Sequence, residues 1–131
     1  MALGFVPAYI NQGHMQGWEY KAAAAETFHV GEALTFSSGN LTKASGTTAP
    51  SYISMFEGVV ASAGTEIPVI AVDHDARYAV PSSEAMTSRK VGDKVTIYTD
   101  GMKVTATTSS GVATIVELPE TAAGGTVIVK L

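Results

Sequence analysis

Three histidines and one acidic triplet are the residues of this sequence best suited to hold a metal ion. His14, His29 and His74 are scattered, and none lies in a His-x-x-x-His or Glu-x-x-His pairing. In the triplet Asp73-His74-Asp75, an extended backbone directs the two carboxylates to one side and the imidazole to the other. We therefore predict a strand-end turn with solvated carboxylates and no metal site; a weak cation site is the alternative.

The sequence contains no arrangement typical of nucleophilic catalysis. No serine lies in a Gly-x-Ser-x-Gly elbow, and no glycine-rich loop leads into a helix that would hold a phosphate. Lys103 follows Met102 next to a glycine turn, as in the Met-Lys pair of biotinyl carrier domains. However, alternation places Lys103 on the solvent face of a strand and not at the turn tip. We predict that the protein is not an enzyme and binds no cofactor.

Composition narrows the range of partners. The 131-residue chain contains no cysteine, which excludes thiol catalysis and cysteine-ligated metals. Its formal charge of -4, with no basic cluster beyond Arg89-Lys90, argues against nucleic acid as a partner. The apolar N-terminus has no basic residue and is interrupted by Gly4 and Pro7, so we predict neither a signal peptide nor a membrane anchor. We expect synthesis in a cytoplasm and no membrane partner.

Short runs of valine, isoleucine and threonine between glycine, serine and aspartate are typical of an all-β barrel or sandwich, and we predict a compact small barrel. Residues 33–36 and 41–44 flank a glycine turn, and residues 94–99 and 102–107 flank Asp100-Gly101, so each pair predicts a hairpin. The sole helical candidate, residues 21–26, is too short to be stable without packing. Further strands are predicted over residues 55–61, 67–72, 77–80, 112–118 and 126–131.

Two segments resemble each other. Val30-Gly31-Glu32-Ala33-Leu34-Thr35 matches Val91-Gly92-Asp93-Lys94-Val95-Thr96, and each leads through a strand into a glycine hairpin. We interpret them as one supersecondary unit used twice, in which the carboxylate of Glu32 or Asp93 accepts a turn amide. Chance similarity between short β units is the alternative.

The first 17 residues differ in character from the rest of the chain. Glycine and proline interrupt their apolar residues, so neither a strand period nor a helix period is sustained. Such a segment either packs on its own domain or orders on a partner, and we favour the partner. Phe5 and Tyr9 are the better interface candidates. Trp18 and Tyr20, at strand spacing, are expected to close one end of the barrel.

Several short motifs resemble those of the head decoration, or cement, proteins of tailed bacteriophages. The likeness covers about residues 15 to 100, and the chain departs from it in the longer C-terminal β segment, Met102 to Leu131. The resemblance implies a domain of the β-tulip or lambda-decoration kind with an extended N-terminal arm. The motifs are Gly17-Trp18-Glu19-Tyr20, the small-residue stretch from Ala22 to Glu26, Val30-Gly31-Glu32-Ala33-Leu34, Gly39-Asn40-Leu41-Thr42-Lys43-Ala44 and Phe56-Glu57-Gly58-Val59-Val60.

The resemblance also implies a function. It implies a structural virion protein, a homotrimer, that binds the outer surface of a phage capsid and stabilises contacts between major capsid protein subunits. Residues 1–17 are then a capsid-binding arm, and residues 18–131 form the β domain. The alternative is a tail- or fibre-associated β module that binds a glycan or another virion protein. The residues expected to contact the capsid are Leu3, Phe5, Val6, Tyr9, Ile10 and Met15.

Overall fold

A computed structural model of the chain describes residues 4–9 and 18–131. In these ranges the protein is all-β, as predicted, with twelve strands and no helix. Among the same residues there is accordingly no helix with the length and apolarity to cross a membrane. In chain order the strands are β1 (Val6–Tyr9), β2 (Trp18–Ala23), β3 (Thr27–Phe28), β4 (Ala33–Ser37), β5 (Asn40–Lys43), β6 (Tyr52–Ser54), β7 (Gly58–Val59), β8 (Thr65–Ala71), β9 (Arg77–Pro81), β10 (Lys94–Val95), β11 (Ala113–Glu117) and β12 (Thr126–Lys130).

Five strands form the predicted barrel, in the order β2-β5-β4-β6-β8. All neighbours are antiparallel except β2 and β5, which close the barrel through one parallel pair, Ala23 with Leu41. Residues 21–23, part of the helical candidate, belong to β2. The five residues of β2 that precede Ala23, Trp18 to Ala22, pair with β8.

A second, open sheet has the order β1-β9-β12-β11-β10 and is antiparallel throughout. On β9 and β11 buried residues alternate with partly exposed ones, whereas on β12 three successive residues, Val127 to Val129, are buried. Tyr78 and Val80 are buried on β9, and Val127 and Val129 are buried on β12. Strands β3 and β7 form a separate two-stranded ribbon.

The two sheets create two hydrophobic clusters. The barrel cluster fills the barrel with Phe28, Leu34, Leu41, Ile67 and Val69 among others. The inter-sheet cluster joins the buried face of the open sheet to barrel residues on the opposite face, and it includes Ala33 and Ile53. Because β-strand side chains alternate, Ala33 faces the open sheet while its neighbour Leu34 faces the barrel interior.

The first predicted hairpin is confirmed. Ser38 and Gly39 have φ values of 51° and 81° and connect β4 to β5. Positive φ at both central residues gives the turn a twist that matches the flanking strands. Asn40, which follows this turn, is the first residue of β5.

The second predicted hairpin turns where expected but has shorter strands. Gly101 has a φ of 71°, and the Tyr98 amide bonds to the Lys103 carbonyl at 2.8 Å. Ile97 and Val104 form a β-bridge with each other, but Ile97 also bridges Gly46 and Val104 also bridges Ser82. Because each residue has a second partner outside the hairpin, the two segments do not form a continuous ladder. Likewise, only Gly58–Val59 of the strand predicted over residues 55–61 is a strand.

Candidate attachment surface

The N-terminal segment makes a close backbone contact with the rest of the domain at Gly4 and Gly31. Gly4 has a φ of 78°, and a Cβ atom built on it would lie 2.3 Å from the Gly31 carbonyl oxygen. The Phe5 amide donates a hydrogen bond of 2.8 Å to that same oxygen. Only glycine fits such a position, because it tolerates positive φ and presents no side chain to the neighbouring backbone.

Phe5 and Val6 have opposite surroundings. Phe5 is 1% exposed and belongs to the inter-sheet cluster, whereas Val6 is 45% exposed. Strand β1 then lies at the edge of the open sheet, where Val6 pairs with Ala79 and Tyr9 pairs with Arg77 along the backbone. Residues 4–9 of the arm therefore pack on their own domain, although we expected the arm to order on a partner.

The residues expected to contact the capsid differ in exposure, and several lie outside the described residues. Of the six residues, Val6 presents an apolar side chain to solvent and Phe5 does not. Leu3, Ile10 and Met15 lie outside the described residues. Capsid contact by residues 1–17 stays a prediction, and Val6 is the described side chain on which it can be tested.

The expectation that Trp18 and Tyr20 close the barrel is wrong. The two side chains are 61% and 63% exposed. They alternate with Glu19 and Lys21, and their cross-strand partners on β8 are Ile70 and Pro68. Directly opposed residues share a face of the sheet, so these four residues form one apolar outer face of the barrel. We call it the aromatic face.

The sequence contained a signal for this surface. In β2 the large aromatic residues recur at positions i and i+2, while charged residues occupy the positions between them. That alternation fixes which residues share a face but not which face is covered. Glu19 and Lys21 share the face of Val69 and Ile67, and the Lys21 Nζ lies 3.5 Å from the Glu19 Oε1.

The repeated turn unit is confirmed at the level of hydrogen bonds. The Glu32 Oε1 accepts the His29 amide at 3.0 Å, and the Asp93 Oδ2 accepts the Lys90 amide at 3.0 Å. In each copy the preceding glycine, Gly31 or Gly92, has positive φ. The carboxylate therefore plays the role in both turns that the sequence analysis assigned to it.

The two carboxylates differ in burial. Glu32 is 0% exposed, and its backbone carbonyl accepts a hydrogen bond from the amide of Ser54, a residue of the barrel strand β6. A Cβ atom built on Gly101 would lie 3.2 Å from the Glu32 Cγ, which places the 98–103 turn directly over this side chain. Among the described residues, the Glu32 Oε2 has no hydrogen-bond partner.

Burial raises the pKa of Glu32 to about 7, because a charged carboxylate loses its hydration there. The His29 amide and the positive charge of Lys43 oppose this rise. A carboxyl group with this pKa changes charge near neutral pH, whereas an ordinary glutamate is ionised there.

His29 and His74, the two histidines among the described residues, make surface contacts. The His29 Nδ1 lies 2.5 Å from the Glu57 Oε2, and the Glu57 Oε1 accepts the Val30 amide at 3.0 Å. That amide, with the His29 contact, lowers the pKa of the Glu57 carboxyl. The His74 Nδ1 lies 2.7 Å from the Leu131 carbonyl oxygen.

The turn predicted at Asp73-His74-Asp75 is confirmed. The Asp73 Oδ1 accepts the Asp75 amide at 2.9 Å, and the Asp73 carbonyl accepts the Ala76 amide at 3.1 Å. No group of three or more potential metal ligands occurs within residues 4–9 and 18–131. His14 lies outside these residues.

Comparison with known proteins identifies the fold. The chain is similar to the solved structure of the head fiber gp8.5 N base in bacteriophage phi29, with a TM-score of 0.61 and 24% sequence identity. The similarity covers 89% of this chain and 94% of that one. No family model matches the sequence, and no curated protein matches it. The chain therefore has the fold of a phage head fiber base.

Proposed function

We propose that this protein is a non-enzymatic structural component of a phage virion, attached to the outside of the head. The observation that carries the proposal is the extent of the structural likeness, 89% of this chain and 94% of the head fiber base. A likeness that spans nearly both chains relates the whole domain to that base.

The finer form of the proposal names the partner and the effect. The protein binds the major capsid protein through residues 1–17 and stabilises contacts between neighbouring capsid subunits. The exposed Val6 on the edge strand β1 supports this, since an edge strand offers unpaired backbone groups to a partner and apolar side chains add burial. Assembly as a homotrimer would increase the effective concentration of each arm at the capsid and slow dissociation.

Co-sedimentation with expanded capsids that lack this protein tests the proposal. We expect the wild type to saturate the capsids at a fixed ratio. Val6→Glu places a charge on the apolar edge and is expected to weaken binding at least about tenfold, as loss of an apolar interface anchor does. Val91→Glu is the matched control, because Val91 is 64% exposed in a turn and the change of charge is the same.

Two results separate the general proposal from its finer form. If the wild type fails to bind capsids, head attachment is wrong. If the wild type binds and both variants bind equally well, the protein attaches to the head by a surface other than the Val6 edge. Sedimentation velocity of the free protein measures whether it is a trimer.

A further inference from the structure

The turn of residues 98–103 lies over the buried side chain of Glu32 and is joined to strand β4 at its tip. The Gly101 carbonyl accepts the Ala33 amide at 2.8 Å. A Cβ atom built on Gly101 would lie 3.2 Å from the Glu32 Cγ and 2.8 Å from the Lys43 Cγ. Glycine at this position therefore allows the tip of the turn to pack directly on both side chains.

The 98–103 turn is also held together by bonds of its own. The Gly101 amide donates to the Tyr98 carbonyl at 2.9 Å, and the Asp100 Oδ2 lies 2.6 Å from the Lys103 Nζ. These bonds connect residues of the turn to one another, so they persist if the turn moves as a unit. The bond from Ala33 to Gly101 instead joins the tip to β4, so it must break if the tip is to move away from β4.

An ionised Glu32 is poorly stabilised in the closed site. Its Oε1 accepts the His29 amide, whereas its Oε2 has no hydrogen-bond partner among the described residues. A buried carboxylate that lacks part of its hydrogen bonds costs much more free energy than a buried neutral carboxyl group does. Moving the turn away from Glu32 admits water to the unpartnered oxygen and removes that cost.

The charges around Glu32 do not offset its burial. Burial raises the pKa of this carboxyl to about 7, the His29 amide and the charge of Lys43 lower it, and the charge of Glu26 raises it. In the turn itself, the opposite charges of Asp100 and Lys103 pair with each other. The charged and titratable groups of the surrounding elements are Glu26, His29 with its partner Glu57, Lys43, Tyr98, Asp100 and Lys103.

We infer that the 98–103 turn is a pH-sensitive cover, which closes over protonated Glu32 and lifts from it when Glu32 ionises. Lifting breaks the Ala33–Gly101 bond and leaves the barrel folded. The cover adjoins the site where the N-terminal segment is held, because Gly31, next to Glu32, accepts the Phe5 amide.

The direction of the pH effect follows from proton linkage. The closed state binds the Glu32 proton with a pKa of about 7, and a solvated glutamate has a pKa of 4.5. Between these values the closed state holds a proton that the lifted state has released, so closing is favoured at low pH. The lifted fraction therefore increases as the pH rises from about 4.5 to about 7 and levels off above that range.

Amide hydrogen exchange of the full chain, resolved by NMR between pH 5 and 8, measures the lifting. We expect the Ala33 amide to exchange through a local opening that low concentrations of urea hardly change. Its opening constant, corrected for intrinsic exchange, should rise at least about thirtyfold over this pH range. The Ala24 amide, which donates to the Leu41 carbonyl where the barrel closes, is the internal reference for global unfolding. It should open less often and depend strongly on urea.

Two variants identify the titrating group. Glu32→Gln carries no charge at any pH and should abolish the rise in the Ala33 opening constant. Asp100→Asn is the matched control, because it removes a carboxylate from the turn itself, and it should leave that rise unchanged.

Three results would overturn the inference: no rise with pH in the wild type, the same rise in Glu32→Gln, or exchange of Ala33 by the same urea-dependent opening as Ala24. The first and third are measured on the wild type, so they require no variant to fold. The outcome does not depend on capsid binding.

Discussion

Replacing the buried Glu32 by glutamine should change how the stability of this protein depends on pH. The pKa of this carboxyl is 4.5 in an unfolded chain and about 7 in the folded protein. Between these values the folded state holds a proton that the unfolded state has released. The stability from this group is therefore fully present below about pH 4.5 and is lost as the pH rises through about 7.

The magnitude follows from the displacement of the pKa. The pKa of Glu32 rises from 4.5 to about 7 on folding. At about 1.4 kcal/mol per pH unit, the free energy of unfolding therefore falls by about 3 kcal/mol over this range. Glutamine keeps an oxygen that can accept the His29 amide and carries no charge at any pH. The free energy of unfolding of Glu32→Gln minus that of the wild type should therefore rise by about 3 kcal/mol between pH 4.5 and 8.

Urea unfolding, followed by circular dichroism at a series of pH values, measures this difference, in which the contributions of other titrating groups cancel. Asp93→Asn is the control, because Asp93 accepts the equivalent turn amide from a partly exposed position. We expect a much smaller slope for that variant. A difference that stays flat across the range for Glu32→Gln would show that the buried carboxyl is not the origin of the pH dependence.

Two further variants test how the N-terminal segment is held. Phe5→Ala should destabilise the fold by about 3 to 5 kcal/mol in urea unfolding, since it empties a site that is 1% exposed; a loss below about 1 kcal/mol would show that the segment contributes little to the core. Gly4→Ala should lower the unfolding midpoint more than Gly39→Ala does, because both glycines have positive φ but only Gly4 faces a backbone atom at 2.3 Å. Equal effects of the two alanines would mean that backbone conformation, and not the contact with Gly31, accounts for the loss.

The burial of Phe5 also changes how an arm deletion must be interpreted. Removing residues 1–17 takes away strand β1 and a side chain of the inter-sheet cluster along with any capsid contact. Loss of capsid binding by such a deletion would thus mix two causes. Substitution at the exposed Val6 separates them, because that side chain is not part of the cluster.

The local sequence was sufficient to predict the turns and the strands with an alternating pattern. The Ser38-Gly39 turn, the two Gly-acid turns and the strands β9, β11 and β12 were all predictable, because each depends on backbone geometry or on neighbouring residues. By contrast, the strand of residues 102–107 was overpredicted. Val104 forms bridges with both Ile97, across the turn, and Ser82, which is distant in the sequence.

The sequence alone determined that the chain is all-β and that Trp18 and Tyr20 share one face of a strand, and it indicated that one turn unit occurs twice. Period and turn chemistry are local properties, so they can be read before the chain is folded. Only the tertiary structure decided which of these faces is covered. Phe5 and Trp18 are both aromatic residues near the N-terminus, yet Phe5 is buried in the inter-sheet cluster and Trp18 is 61% exposed. Glu32 and Asp93 accept the same bond, yet only Glu32 lies beneath the 98–103 turn, because burial depends on contacts between segments far apart in the sequence.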